Sequence, residues 1–401
     1  MDRFHWKPLL LACLIVSIGQ LSLGLIFPSL PWIAQDLGIS ADQAQYLVSG
    51  YLLGFGGSQL IYGPLSDVIG RRPVLLSGLL IAMAGLLIAV FQADSFTWLL
   101  VGRCIQGLGA GSVSVLARAT IRDSYLSHHL VKAMSWVAIV AAFTPIIAPV
   151  LGGLINHYAG WLAVFGLLLG YVAVIWLLMA MTFKETLVKP VQSHSVGQLM
   201  MSYGSLLRER HFLIFAGIGW LNFALVVLAI SLLPFIMQVQ IGMPSDEYAL
   251  WAMVPAIGFL SGGLLCQRLS PKFGAHRMLL IAPFLQLTAG LILMVSPLVP
   301  TWMIAGHFFL AMANGLAFPC AQSLLLVPYR ERSGTVSALS GACQMMFASL
   351  ASSLLLKAGI QQPAQLGGVI LMAALTGLLL VTLGTRSSSG QQAVASLSEV
   401  R

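Results

Sequence analysis

Residues Gly63 to Phe91 read GPLSDVIGRRPVLLSGLLIAMAGLLIAVF, and the change of character after Arg72 decides the fold. The first part carries Asp67, Arg71 and Arg72 among two glycines and a proline. From Pro73 no charge appears until Asp94. A run of that length suits a helix crossing a hydrocarbon core, which takes about 20 residues at about 1.5 Å each. A strand of a membrane barrel would alternate apolar and polar residues instead.

The same pattern repeats along the chain. Spans are expected near 9–33, 43–65, 74–93, 96–118, 133–156, 160–183, 211–237, 247–268, 277–296, 301–326, 334–356 and 364–384. Only 8% of residues are charged, against about 25% in a soluble domain. Mean hydropathy is +0.93, which excludes a soluble enzyme or a nucleic-acid-binding domain as the bulk of the chain. The first apolar run is longer than a signal h-region and ends in Phe27-Pro28-Ser29-Leu30-Pro31, so it reads as a retained span.

Basic residues set the expected orientation. Arg3, Lys7, Arg71, Arg72, Arg118, Arg122, Lys132, Lys184, Lys189, Arg208 and Arg210 fall on one side. Arg268, Lys272, Arg277, Arg330, Arg332, Arg386 and Arg401 join them, Lys357 falls on the other side, and Arg103 lies within a span. By the positive-inside rule both termini are cytoplasmic. The same charges account for the net +8 without a nucleic-acid partner, since each adjoins an apolar run. No cysteine pair has metal-ligand spacing, so no metal is expected.

The polar interruption 186–210 divides the spans into six and six, giving bundles at 1–185 and 211–385 and a tail at 386–401 expected to be disordered. A faint repeat relates the halves at an offset of roughly 200. Pro28 matches Pro234, and Gln106-Gly107-Leu108 matches Asn314-Gly315-Leu316. The Gly63–Arg72 segment matches a decayed Gly263…Arg268…Gly274-Ala275-His276-Arg277. Duplicated units of this kind build many carriers, with the substrate held between them near mid-membrane.

Three motifs bear on mechanism. Gly63 and Gly70 flank Asp67, with Arg71 and Arg72 next in line; Gly63 lets span 2 approach a neighbour closely, Gly70 permits the tight turn so short a loop needs, and the charges can pair in one state and part in another. Span 5 contains Thr144-Pro145-Ile-Ile-Ala148-Pro149-Val-Leu-Gly152-Gly153, whose prolines bend the helix and whose glycines permit close packing. Span 4 contains Arg103-Cys-Ile-Gln106-Gly107-Leu-Gly109-Ala-Gly111, and an intramembrane arginine should face the protein interior.

These motifs resemble the loop 2–3 signature G-x-L-a-D-r-x-G-r-r/k, the span 5 antiporter motif and the span 4 R-x-x-Q-G-x-G-A/S motif of the major facilitator superfamily. With Ala117-Arg118-Ala-Thr-Ile-Arg122-Asp123 and Phe183-Lys-Glu185-Thr186, the chain looks like the EmrD and Bcr/CflA branch of twelve-span drug:proton antiporters. The resemblance implies an all-α polytopic fold of two pseudo-symmetric six-helix bundles. It also implies export of hydrophobic or amphipathic compounds from a bacterial cell across the inner membrane in exchange for protons, by a monomer. No cofactor is expected, the proton gradient supplying the energy. A carrier for one endogenous metabolite is the alternative. No phosphate-binding loop for direct ATP drive and no Ser-His-Asp arrangement occurs, so no catalytic residue is expected.

A binding cavity is expected from Gln20, Tyr51, Phe55, Gln59, Arg103, Gln106, Asn222, Trp251, Asn314 and Gln344, polar or aromatic residues placed within or near spans. Gating is expected from Gly63, Asp67, Gly70, Arg71, Arg72, Pro145, Pro149, Gly152 and Gly153. No carboxylate lies at mid-span, a departure from many multidrug antiporters. Proton coupling therefore falls to Asp67, Asp123 or His307, with Arg103 as a charged modulator.

Overall fold

The computed structural model describes residues 6–125, 127–187 and 196–399. Arg3, Lys189 and Arg401 of the expected charge split lie outside them. Every regular element among the described residues is helical: α1 (Trp6–Gly24), α2 (Leu30–Asp36), α3 (Ala41–Ile69), α4 (Arg71–Phe91), α5 (Phe96–Ser124), α6 (Ser127–Ala159), α7 (Trp161–Thr182), α8 (Val196–Leu206), α9 (Arg210–Pro234), α10 (Ser245–Trp251), α11 (Met253–Phe273), α12 (Ala275–Val295), α13 (Pro300–Leu326), α14 (Ser333–Lys357) and α15 (Pro363–Glu399).

Each expected span is present. Among the described residues, 11 helical stretches are long and apolar enough to cross a membrane. The twelfth, α3, has 29 residues but is more polar, and its Gln45, Ser49, Ser58, Gln59 and Ser66 are buried against protein. Polar side chains satisfied inside the fold allow a span of lower hydropathy. Local chemistry sets the ends. The Gln43 side chain accepts from the Ser40 N–H at 3.0 Å before α3, Pro300 opens α13, and glycines with positive φ, among them Gly160 and Gly274, turn between neighbouring helices.

Two expectations change. The linker 186–210 contains a helix, α8, whose Tyr203 and Leu206 are buried while Met200 and Met201 are exposed. Three-residue spacing puts the two buried side chains on one face, so a stretch read as loop has an amphipathic reason to coil. The α15 backbone also stays helical through the Ser/Gln-rich stretch to Glu399. Extending an existing helix costs no new nucleus, which composition alone does not register.

The chain forms two compact units. Unit 1 is Met1–Ser195 with Ile230–Met253 and Gly341–Gly359, and unit 2 is Val196–Ala229, Val254–Ser340 and Ile360–Arg401. In unit 1, α3 and α5 meet through Gly50, Gly54 and Gly107, where an added methyl would strike Leu100, Cys104 O and Tyr51 O. In unit 2, α11 and α13 meet through Gly258, Gly262 and Gly315, against Phe308 O, Met312 O and Phe259 O. Each of the three unit 2 positions stands 208 residues after its unit 1 counterpart, as 50 to 258, 54 to 262 and 107 to 315 show. Backbone contact through small residues is the usual means of holding helices together in lipid, and here one packing scheme is written twice.

Candidate functional site

Arg71 organises one end of unit 1. Its guanidinium is buried and lies 2.6 Å from Asp67 Oδ1, one turn back, and 2.9 Å from Asp123 Oδ2 at the end of α5. It also donates to Ser66 Oγ at 2.6 Å. Arg122 approaches the other Asp123 oxygen at 3.6 Å. The backbone N–H groups of Arg71 and Arg72, the first of α4, donate to Glu185 Oε1 and Oε2 at 2.9 and 3.0 Å. A carboxylate thus caps a helix N-terminus, where orphan donors and the helix dipole favour negative charge. Arg72 Nη2 donates to Ala180 O at 2.8 Å, so α4 is held to the end of α7 twice.

Gly70 is required here on two counts. Its φ is +112°, and a methyl would lie 2.6 Å from Glu185 Oε2. Gly70→Ala should cost about 1–3 kcal/mol through backbone strain alone and displace the cap, seen as a lowered thermal midpoint in detergent. Gly63, expected to permit a close approach, has its nearest neighbour, Val115 Cγ1, at an ordinary 3.7 Å. The tight packing of α3 lies instead at Gly50 and Gly54.

Glu185 titrates below the usual glutamate range. Partial burial raises it, but backbone N–H donors from Leu187, Arg72, Arg71 and Thr186 outweigh that. A lowered folded pKa stabilises the fold above the ordinary value of about 4.3, and the contribution disappears as pH falls through the lowered value. Glu185→Gln should therefore lower the thermal midpoint at pH 7, with the gap from the parent closing on the acid limb. A gap constant across pH would contradict the cap.

Arg103 sits deeper in unit 1, with no exposed surface. Nε donates to Leu47 O at 3.1 Å, and Nη1 to Ser22 O at 3.0 Å and Gln106 Oε1 at 2.6 Å. Its guanidinium carbon lies 4.5 Å from the centre of the Tyr51 ring, whose hydroxyl donates to Gly19 O at 3.0 Å. One side chain thereby ties α1, α3 and α5. Tyr51, Arg103 and Gln106, expected to line a cavity, are enclosed by protein in this structure.

The prolines of α6 come with a compensating bond, Thr144 Oγ1 to Val140 O at 2.7 Å. Gly152 then packs on Leu25 O, and Gly153 on Ser245 and Ala249 of α10. Ala148, where the motif often has glycine, meets Gly24 of α1, so the small residue has moved to the facing helix.

Beyond this contact the arginine-poor ends within unit 1 are joined mainly by neutral hydrogen bonds. Trp32 Nε1 donates to Gln238 Oε1 at 2.9 Å and Ser245 Oγ at 2.8 Å, and Gln238 Nε2 donates to Pro28 O at 3.0 Å. Gln238 belongs to a π-helical turn, Phe235–Gln240, that continues α9. Between α3 and α14, Ser49 Oγ lies 2.6 Å from Ser353 Oγ, and Gln45 Nε2 donates to Ser352 Oγ at 3.0 Å. His157 Nδ1 stands 3.4 Å from Asp246 Oδ1.

The remaining predicted residues divide between the units. Phe55 stacks on Tyr51 with ring centres 5.7 Å apart, Gln59 and Gln344 are buried, Gln20 is half-buried, and half-buried Trp251 donates to Glu247 Oε1 at 3.4 Å, all in unit 1. In unit 2, Asn222 Oδ1 accepts from Gln286 Nε2 at 2.8 Å, and Asn314 and His307 are buried. His307 Nδ1 pairs with Met303 O of its own helix at 2.7 Å. Sequence reasoning missed Glu185 as a cap and the Trp32–Gln238–Ser245 contacts. The sole acid at the end of span 6 was a usable signal for the first, but nothing local marks the second.

The chain matches the model of the Major Facilitator Superfamily over residues 12–353. It is 31% identical to Multidrug resistance protein D of Escherichia coli (strain K12), over 96% of this chain and 98% of that protein. It is 28% identical to the uncharacterized MFS-type transporter YdgK of Bacillus subtilis (strain 168), over 94% and 95%. Among solved structures it resembles the E. coli xylose transporter XylE in a partially occluded inward open conformation, with a TM-score of 0.73 at 14% identity, over 95% of this chain and 97% of that one.

Proposed function

Because the chain belongs to the major facilitator superfamily, and is thus a multi-pass membrane transporter and not an enzyme, we propose that it exports hydrophobic and amphipathic compounds from a bacterial cell in exchange for protons. Its place is the inner membrane, with both termini cytoplasmic and a monomer as the working unit. The names of relatives that match along nearly the whole chain support the cargo class. The lack of a mid-span carboxylate favours neutral or weakly basic cargo over strongly cationic drugs.

The observation that carries the mechanism is the contrast between two kinds of contact in unit 1. Helices α3 and α5 meet backbone to backbone through glycines and cannot part cheaply. The joints from α3 to α14 and from Trp32 to Gln238 are neutral side-chain hydrogen bonds, each worth about 0.5–1.5 kcal/mol and replaceable by water. Such joints serve as a gate, opening to release cargo outward while the six-helix bundles 1–185 and 211–385 move as bodies about a central site. Gln20, Gln59, Asn222, Asn314 and Gln344 are the polar groups assigned to that site, with Phe55 and Trp251 as apolar surface.

At the other end, protonation of Asp67 or Asp123 would remove one of the two carboxylate charges facing Arg71 and weaken the joint between α3, α4 and α5. Asp67 is the more exposed of the two. His307 is the remaining candidate, and Arg103 acts by holding helix geometry. Expression in a pump-deficient host should lower accumulation of amphipathic dyes, and a protonophore should restore it. Unchanged accumulation across a broad panel sinks the reading, and saturable transport of one metabolite favours the narrow carrier.

A further inference from the structure

Unit 2 contains a pair of thiols that the transport reading does not use. Cys266 on α11 and Cys320 on α13 are buried, free, and have their Sγ atoms 3.3 Å apart. Both line a cavity of about 240 Å³ whose other walls include Gln267, Ser270, Pro319 and Ser323.

The repeat explains why space exists there. The positions 208 residues earlier are Ser58, Gly111 and Ser112, and in unit 1 Ser58 presses on Gly111 with no room for a methyl. In unit 2 the glycine's counterpart is Pro319, inside α13. Proline puts a ring on that face and removes a helix hydrogen bond, so at this level α11 and α13 cannot close as α3 and α5 do, although they meet closely at Gly258, Gly262 and Gly315. The two small polar side chains have become two soft nucleophiles facing the gap.

The sulfur separation selects the ligand. Two thiolates at about 2.3 Å from one ion, the usual length to zinc, and 3.3 Å from each other subtend close to a right angle. That is narrower than the tetrahedral angle zinc favours, but it suits pyramidal trivalent arsenic. We propose that Cys266 and Cys320 form a dithiol site for monosubstituted trivalent arsenicals, the substituent lying in the cavity. In the reaction two S–As bonds form, both thiol protons and the arsenical oxygen leave as water, and no oxidation state changes. The site is independent of the drug-efflux reading.

The test uses the purified full chain with Cys13, Cys104 and Cys343 replaced by serine, and phenylarsine oxide as probe. One adduct per chain is expected by intact mass, stable to excess monothiol and stripped by a dithiol. Cys266→Ser and Cys320→Ser should each weaken retention at least about a hundredfold, because the second sulfur binds at high effective concentration. Equal retention in either variant overturns the proposal, as does no adduct while maleimide still counts two thiols. If the variants do not fold, arsenic X-ray absorption on the parent decides: two sulfur neighbours support the site and one refutes it.

Discussion

Arg103→Met should abolish efflux and lower stability by about 3 kcal/mol or more. The guanidinium serves Leu47 O, Ser22 O and Gln106 Oε1 at once and lies over the Tyr51 ring. Methionine fills much of the volume but leaves Ser22 O and Gln106 Oε1 without this donor, each costing about 1–3 kcal/mol. Arg103→Lys keeps the charge yet should recover little, because one ammonium cannot span acceptors on three helices as a planar fork does. Thermal midpoints and dye efflux of the three proteins decide the point. A methionine variant as stable and active as the parent would mean that Arg103 only fills space, since a buried charge can be replaced by a well-packed apolar group at little cost.

The second large effect concerns the duplicated packing. Gly107→Ala and Gly315→Ala should each destabilise by about 1–3 kcal/mol, since the added methyl meets backbone oxygen of the facing helix and cannot be accommodated by a rotamer change. Gly57→Ala and Gly368→Ala, at helix positions with nothing within 4 Å of the added methyl, should be neutral or slightly stabilising. Similar losses at 107 and 315 with no loss at 57 and 368 would establish that the two units share one scheme. A loss at 107 alone would contradict it.

Features with a local signature were legible in the sequence. Uncharged runs marked the twelve spans, and Asp67 and Arg71 at i, i+4 foretold their own pairing. The repeat was visible at Gln106-Gly107 and Asn314-Gly315, although its register of 208 emerged only when each glycine found its facing carbonyl. Asp123 joins Arg71 across 52 residues, and Trp32 meets Gln238 across 206. No periodicity encodes such separations. The cavity residues were chosen by depth and polarity, and depth does not distinguish a side chain facing cargo from one satisfied inside a bundle. Tyr51 proves to be satisfied inside, and Gln106 is enclosed with its side-chain oxygen bound to Arg103. The compensation of Ala148 by Gly24 was equally hidden, because a small residue can sit on either of two packed helices.

The proposed cycle requires the α3–α14 joint to open every time cargo leaves. Ser49 Oγ and Ser353 Oγ are 2.6 Å apart across it, close enough to place a cysteine pair. With the five native cysteines replaced, Ser49→Cys/Ser353→Cys should export dye when reduced, stop when oxidised to the disulfide, and recover on re-reduction. Full-rate export by the cross-linked protein would contradict the gate, and with it alternating access by these helices.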